Sequence, residues 1–284
     1  MMQQIGDELQ DATGALTINT GHHEVLDLCM APGGYALSAL KYNPLAHVSG
    51  ITLPEEKGGH RVMVRHGHVD AQIEVAFLDI TMLIEEFGVT KVPEDHPDKD
   101  KFLTGSRPYL GKTFDLVFCD GQVLRTHNRG AYWENNEPLR LSCSQLVFAL
   151  QHIRTGGTLI MLLHKVEACH SVELLYAFSQ CASIRLFKPK KKHALRSSFY
   201  LVAQNILPQH PTAISAVSRW KEAWKLATFS NEPKIKEPGD IADMIAILAD
   251  FGERLVELAE PVWRIQRDAL AASHFTSANV SEST

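Results

Sequence analysis

Residues 25–35 place one acid directly before a turn that is rich in glycine. The apolar stretch 25–28 contains Asp27 and predicts a short buried strand, and a proline and two glycines then lead into an amphipathic helix over 35–41. Glycines let a ligand approach the backbone, and a helix N-terminus offers unpaired N–H groups. Asp27 would repel a phosphate, and the spacing matches neither phosphate-binding glycine motif. The stretch therefore predicts a site for a phosphate-free ligand that carries ammonium or hydroxyl groups.

Three more polar residues lie at or just past the ends of predicted buried strands. They are Asp79, Asp120 and Lys165, and each follows an apolar run that is interrupted by few charges. In α/β proteins, ligands bind beyond the carboxyl ends of the parallel strands. We therefore expect these side chains to meet the glycine-rich turn at one edge of a sheet.

The segment D-L-C-M-A-P-G-G-Y at 27–35 is similar to the D-L-x-A-A-P-G-G-[FW] motif of the FtsJ-like methyltransferases, which methylate ribose 2′-hydroxyls of RNA. Shorter motifs extend this resemblance over roughly residues 20–205. It implies a Rossmann-like class I methyltransferase fold with a seven-stranded, mostly parallel sheet that uses S-adenosylmethionine. The cofactor-binding residues that it implies are Asp27, Ala31, Pro32, Gly33, Gly34, Tyr35, Ile51, Thr52, Asp79, Ile80 and Asp120.

Two of these positions have alternative interpretations. In the resemblance, Asp79 matches the acid that accepts a hydrogen bond from the adenine amino group, but a residue just before a helical stretch can also be its N-cap. Proteins that bind this cofactor commonly have an acid for the ribose hydroxyls after the second strand. This chain has Ile51 and Thr52 there, so backbone groups or Thr52 would have to hold the ribose.

The resemblance also implies catalytic residues. Asp120 and Lys165 match the second and third members of the family's catalytic tetrad, and an ammonium group can stabilise a developing oxyanion. The alternative for Lys165 is a lysine at a strand end that reaches solvent. Ser198 stands where the family has glutamate, and Glu167 could replace that carboxylate if strand alternation puts it on the face of Lys165. No Lys or Arg precedes Lys41, so the family's first lysine is absent or lies upstream of this sequence.

Strands that alternate with helices predict an α/β fold with helices on both faces of the sheet. We expect a methyltransferase domain over 1–206, with a surface insertion at 89–112, and a helical extension over 207–272. Pro261 should kink or divide the last helical stretch. The polar tail 273–284 is expected to be disordered. The extension is interpreted as a cap on the sheet, or as a surface for dimerisation or a partner.

One dense basic run is a candidate contact for RNA. In the resemblance it lies in a hairpin beside the substrate groove, although charged turns are often solvated surface. Tyr132 and Trp133 could stack a base, or pack beneath their loop. The basic residues of the run are Lys188, Lys190, Lys191, Lys192 and Arg196.

Composition limits the class of protein. The net charge of −5 gives no overall nucleic-acid signature, so an RNA contact must be local. The five cysteines are an odd number without a C-x-x-C pair, which predicts reduced thiols and no disulfide framework. No metal site is expected among the scattered histidines. No targeting segment or apolar run of ~20 residues is present, so we expect a cytoplasmic or nuclear protein that does not span a membrane.

The leading hypothesis is an S-adenosylmethionine-dependent RNA ribose 2′-O-methyltransferase. A methyltransferase for a small molecule or a protein is the first alternative, because the family's glutamate is missing and the chain is acidic. The second alternative is a cofactor-binding protein without catalytic activity that works through its helical extension.

Overall fold

A seven-stranded mixed sheet forms the centre of the computed structural model, which describes residues 1–64, 71–123, 136–230 and 241–273. The strand order is β3-β2-β1-β4-β5-β7-β6, and β7 runs antiparallel to both of its neighbours. The prediction of a mostly parallel seven-stranded α/β sheet is confirmed. The strands are β1 (Glu24–Leu28), β2 (His47–Thr52), β3 (Ile73–Phe77), β4 (Phe114–Cys119), β5 (Ile153–His164), β6 (Ser183–Phe187) and β7 (Ser198–Gln204).

Six α-helices, counted in the described ranges, cover the two faces of the sheet. Helices α1 and α2 pack on one face, and the other four share the core of the opposite face. None of these helices combines the length and apolar character that crossing a membrane requires. The helices are α1 (Met2–Thr13), α2 (Gly34–Tyr42), α3 (Glu137–His152), α4 (Cys169–Cys181), α5 (Pro211–Phe229) and α6 (Ile241–Ala271).

Strand β4 shows why this sequence forms a central strand. All six of its residues are buried, and successive side chains point to opposite faces. Leu116 and Phe118 join the core beneath α1 and α2, whereas Val117 and Cys119 join the core on the other face. A strand that is covered on both sides is expected to be almost entirely apolar. The exception, Asp115, is paired with the Thr20 hydroxyl, the Glu24 N–H and Arg154.

The helical extension packs into the core of the sheet domain. Phe251, Leu255 and Val262 of α6 are buried in the same cluster as strands β4 and β5. Helix α6 continues for 31 residues through Pro261, so the expected division of this segment is wrong. Pro261 lies on the exposed side, where water can bond the carbonyl that loses its N–H partner.

Two 3₁₀ turns, Ile80–Met82 and Ile84–Phe87, follow β3. The insertion 89–112 is packed through buried apolar side chains, including Tyr109, whose hydroxyl donates to the Gly50 carbonyl at 3.3 Å. Gly156 and Gly157 belong to β5, whose pairing with β4 is irregular at this point.

Candidate active site

A cavity of about 440 Å³ lies at the carboxyl ends of β1, β2 and β4. Every residue that the sequence assigned to the cofactor lines this cavity, with the exception of Gly33. The acids and the glycine-rich turn therefore lie together at the carboxyl ends of the strands, as expected. The assigned residues in the wall are Asp27, Ala31, Pro32, Gly34, Tyr35, Ile51, Thr52, Asp79, Ile80 and Asp120.

Asp27 is a buried carboxylate with one unsatisfied oxygen. The N–H of Ala36, in the first turn of α2, donates a hydrogen bond to this carboxylate, while Oδ2 has no partner among the described residues. Burial raises the pKa of Asp27 well above its ordinary value, and the nearby charge of Asp120 raises it further. A positively charged group in the cavity would favour the ionised form of Asp27.

Asp120 lies one residue past β4 and faces the same cavity. Its Oδ1 is buried and has no hydrogen-bond partner among the described residues. Burial raises the pKa of Asp120 to about 7, and the neighbouring Tyr200 hydroxyl opposes part of that shift. The Tyr35 ring stacks on Phe118 at 4.9 Å and meets the Tyr200 ring edge-on at 6.2 Å. These rings form the apolar floor that keeps Asp120 away from water.

The glycines of the turn also make room for other side chains of the chain. Gly33 has a φ of 98°, which favours glycine, and a Cβ there would lie 2.1 Å from Cγ1 of Val64. A Cβ on Gly34 would lie 2.4 Å from Cβ of Met2. A larger residue at either position would therefore clash, and Gly34 also lines the cavity.

Asp79 and Thr52 hold the loops that line the cavity beyond β3 and β1. Oδ1 of Asp79 accepts hydrogen bonds from the N–H and the hydroxyl of Thr81, at 2.9 and 2.8 Å, so the N-cap interpretation is confirmed. The carboxylate still lines the cavity. The hydroxyl of Thr52 accepts from the N–H of Ala31 at 3.3 Å and retains its own hydrogen for donation.

Lys165 does not share the cavity with Asp120. Cys119 pairs with Met161, so the residue of β5 at the level of Asp120 is Leu162. Leu162 lines the cavity, whereas Lys165 follows the end of β5 and does not line it. No lysine of the described residues lines the cavity beside Asp120, and the apolar Leu162 occupies that level.

The argument for Glu167 is wrong in its premise, because β5 ends at His164 and strand alternation does not continue to 167. Lys165 has a φ of 53°, and both it and Glu167 line a separate cleft. Ser198 begins β7 opposite His164 and is buried, with its Oγ unpaired among the described residues.

The basic run divides into a buried lysine and an exposed group. The ammonium group of Lys188 is enclosed by the carbonyl oxygens of His193, Arg196 and Ser198, at 3.2, 2.6 and 2.8 Å. Burial lowers the pKa of Lys188 to about 8. Lys188 is therefore a structural residue of the hairpin and is not available to RNA. The lysines at 190–192 and Arg196 are exposed, and Arg196 lines the mouth of the cavity.

The model of the FtsJ-like methyltransferases matches residues 7–206. The chain belongs to the FtsJ-like methyltransferase family. No curated protein sequence matches it.

Solved structures with a similar fold share few identical residues with this FtsJ-like chain. A Plasmodium falciparum protein assigned as a ribosomal RNA methyltransferase is 19% identical, with a TM-score of 0.47 over 72% of this chain and 96% of its own. An O-methyltransferase family protein from Burkholderia thailandensis is 12% identical, with a TM-score of 0.40 over 72% and 57%. TrmN from Thermus thermophilus is 14% identical, with a TM-score of 0.40 over 72% and 49%.

Two polar residues of this FtsJ-like site, Gln122 and His164, were not predicted from the sequence. His164 lines the cavity, and its Nε2 lies 3.1 Å from Oε1 of Gln122. Partial burial lowers the pKa of His164, and the charge of Arg196 lowers it further, so the imidazole is mainly neutral at pH 7. Because side chains alternate along a strand, Leu162 and His164 of β5 lie on the same face, and both line the cavity. Tyr132 and Trp133 lie outside the described residues.

Proposed function

We propose that this chain binds S-adenosylmethionine in the cavity and transfers its methyl group to a ribose 2′-hydroxyl of RNA. One observation carries the first part of this proposal. Asp27 is buried and Asp120 is half-buried, each has one buried oxygen without a described partner, both line the same cavity, and burial raises the pKa of both. Such a pair favours a ligand that brings positive charge.

S-adenosylmethionine fits this donor set, because it carries an ammonium group and a sulfonium and has no phosphate. Asp27 and Asp120 would face the charged methionine end. Asp79 would accept from the adenine amino group with the oxygen that does not cap the 3₁₀ turn, and Thr52 would donate to the ribose. When bound, the cofactor supplies an electrophilic methyl group.

The mouth of the cavity supports an RNA acceptor. Arg196 and His193 line it, and the exposed lysines at 190–192 belong to the same hairpin. The chain as a whole is acidic, so this hairpin is a local positive surface on a negative molecule. Phosphate groups bind such a surface through counterion release, and the affinity falls steeply with salt.

The acceptor hydroxyl must lose a proton as the methyl group arrives. Asp120 and the mainly neutral imidazole of His164 are described cavity residues that can accept it near pH 7. Leu162 supplies no charge where a cation would stabilise the developing oxyanion. Correct positioning of the hydroxyl against the methyl group would then supply most of the rate.

Leu162 also favours a second candidate function, which is cofactor binding without methyl transfer. In that case the chain would hold S-adenosylmethionine and act through RNA or protein contacts. The two candidates share the cofactor site and differ only in turnover.

The test compares binding and turnover in the same preparation. S-adenosylmethionine affinity is measured by calorimetry, and transfer of a labelled methyl group to total RNA is followed by nuclease digestion and nucleoside analysis. The variants are Asp27→Asn, Asp120→Asn and, as a charge-matched control remote from the site, Asp243→Asn.

We expect label in 2′-O-methyl nucleosides that Asp120→Asn reduces at least tenfold and Asp243→Asn leaves unchanged. Tight cofactor binding with no label in RNA would overturn the transferase and support the binding module. Failure of the wild-type chain to bind S-adenosylmethionine would overturn both.

A further inference from the structure

A second cleft, of about 490 Å³, lies between the loop after β5 and the last turns of α6. Lys165 and Ser197 form one side of it, and Trp263, Gln266 and Arg267 form the other. Helix α6 lies outside residues 7–206, which match the family model. One side of the cleft therefore lies outside the part of the chain that matches the family model.

The cleft adjoins the cavity across a single pair of residues. His164 and Arg196 line the cavity, and the residues that follow each of them, Lys165 and Ser197, line the cleft. The N–H of Lys165 donates to the carbonyl of Ser197 at 3.0 Å, so the partition between the two spaces is one hydrogen-bonded rung. A polymer chain that enters the cavity would therefore have to pass only this hydrogen-bonded pair of residues to reach the cleft.

The side chains of the cleft have the chemistry of a nucleotide site. The indole of Trp263 is 36% exposed and has no ring partner among the described residues, so its face can stack a planar base. The ammonium of Lys165 has no ion-pair partner within the same residues. Arg267 is bonded to Asp268 at an exposed position and keeps further N–H donors. Glu167 adds one acceptor for a base amino group.

We propose that this cleft holds a nucleotide of single-stranded RNA next to the acceptor nucleotide, with its base on Trp263 and its phosphate near Lys165 and Arg267. This inference rests on the proposed RNA acceptor. It assigns to Lys165 a role in RNA binding, on the opposite side of the rung from the site of methyl transfer. It also gives the helical extension a direct part in substrate recognition.

The proposal is tested by the binding of fluorescein-labelled single-stranded RNA decamers to the full chain, followed by anisotropy at several salt concentrations. We expect Trp263→Ala to weaken binding about tenfold and Trp263→Phe to retain most of the affinity, because an aromatic face remains. Lys165→Ala should reduce the slope of log K against log salt by about one, as the loss of one phosphate contact requires.

Arg264→Ala is the matched control, because it removes a cation from the same helix at a position that does not line the cleft. Affinity for S-adenosylmethionine should be unchanged in all four variants. If the wild-type chain binds RNA and Trp263→Ala binds it equally well, the cleft is not a nucleotide site, although the proposed function stands.

Sedimentation tests whether a second copy of the chain, instead of RNA, occupies this surface. A concentration-dependent dimer that Trp263→Ala dissociates would overturn the proposal in favour of a second copy of the chain. Absence of RNA binding by the wild-type chain would overturn the proposal together with the RNA acceptor, whereas the cofactor site would still be judged by its own calorimetry.

Discussion

The pKa of the Asp120 carboxyl group lies near neutral pH because two effects oppose each other. Burial beside the rings of Tyr35 and Tyr200 disfavours its charged form, and the Tyr200 hydroxyl favours it, with a resulting pKa of about 7. The ordinary value for an aspartate is 3.8. Near pH 7 the group therefore exists in both protonation states, and a bound cation would shift it toward the carboxylate.

We predict that the affinity for S-adenosylmethionine rises with pH. The positively charged cofactor favours the ionised Asp120, and the ionised fraction increases from about one tenth at pH 6 to about nine tenths at pH 8 for a pKa near 7. The dissociation constant should fall about tenfold over this range, as measured by calorimetry.

The variant Asp120→Asn should bind more weakly and lose most of that pH dependence, whereas Asp243→Asn should retain it. A wild-type affinity that is equal at pH 6 and pH 8 would show that Asp120 does not sense the cofactor's charge.

Lys188 and Lys165 show the limits of assigning residues from local sequence. The basic run has the composition of a solvated turn, and only closure of the hairpin brings three carbonyl oxygens around Lys188. Lys165 is the nearest lysine to the expected position, but its face depends on where β5 ends and on its register with β4. Neither property can be read from a short motif. The sequence correctly predicted that Asp27, Asp79 and Asp120 lie together, because each is at or just past the end of a strand.

At the scale of elements, the hairpin between β6 and β7 is held closed by Lys188. We predict that Lys188→Ala lowers the free energy of unfolding by about 2–4 kcal/mol, because three buried carbonyls lose a charged donor. Lys190→Ala, at an exposed position of the same turn, should change it by less than about 0.5 kcal/mol. Urea denaturation measures both. An equal, small effect for the two lysines would refute the structural role of Lys188.

The turn between β1 and α2 provides a second prediction about an element. Gly33→Ala should destabilise the chain by more than Gly14→Ala, because both glycines have positive φ but only Gly33 has a side chain above it. The backbone cost alone is about 1–2 kcal/mol, and Gly14→Ala measures it. Adding Val64→Ala to Gly33→Ala should bring the loss back toward that of Gly14→Ala. If the double variant is no better than Gly33→Ala, the contact with Val64 is not the cause.

On the scale of the whole molecule, the sheet and the helical extension share one core. Phe251 is 3% exposed within that core, whereas Leu248 of the same helix is 45% exposed. We predict that Phe251→Ala lowers the free energy of unfolding by about 3–5 kcal/mol and that Leu248→Ala costs less than about 1 kcal/mol. Far-ultraviolet circular dichroism during urea denaturation measures both. A first transition confined to the extension in Phe251→Ala would contradict a shared core.

The architecture was more predictable than the position of the extension. Alternation of buried strands with amphipathic helices indicates a parallel α/β sheet, because strands covered on both faces are almost entirely apolar. The path of α6 was not predictable in the same way. Its buried positions, Phe251, Leu255 and Val262, fit any partner surface, and the division expected at Pro261 depends on which side of the helix meets water.

Strand β7 runs against its neighbours, and this direction brings the hairpin turn to the mouth of the cavity. The turn of this hairpin therefore joins the edge strand β6 to its neighbour β7, whereas Asp27 and Asp120 belong to the central strands β1 and β4 or directly follow them. The exposed lysines at 190–192 neither line the cavity nor supply the carbonyls that hold Lys188, so changes of charge there would leave both in place. Under the proposed function, the preference for an acceptor could thus change through these three positions while the cofactor site stays the same.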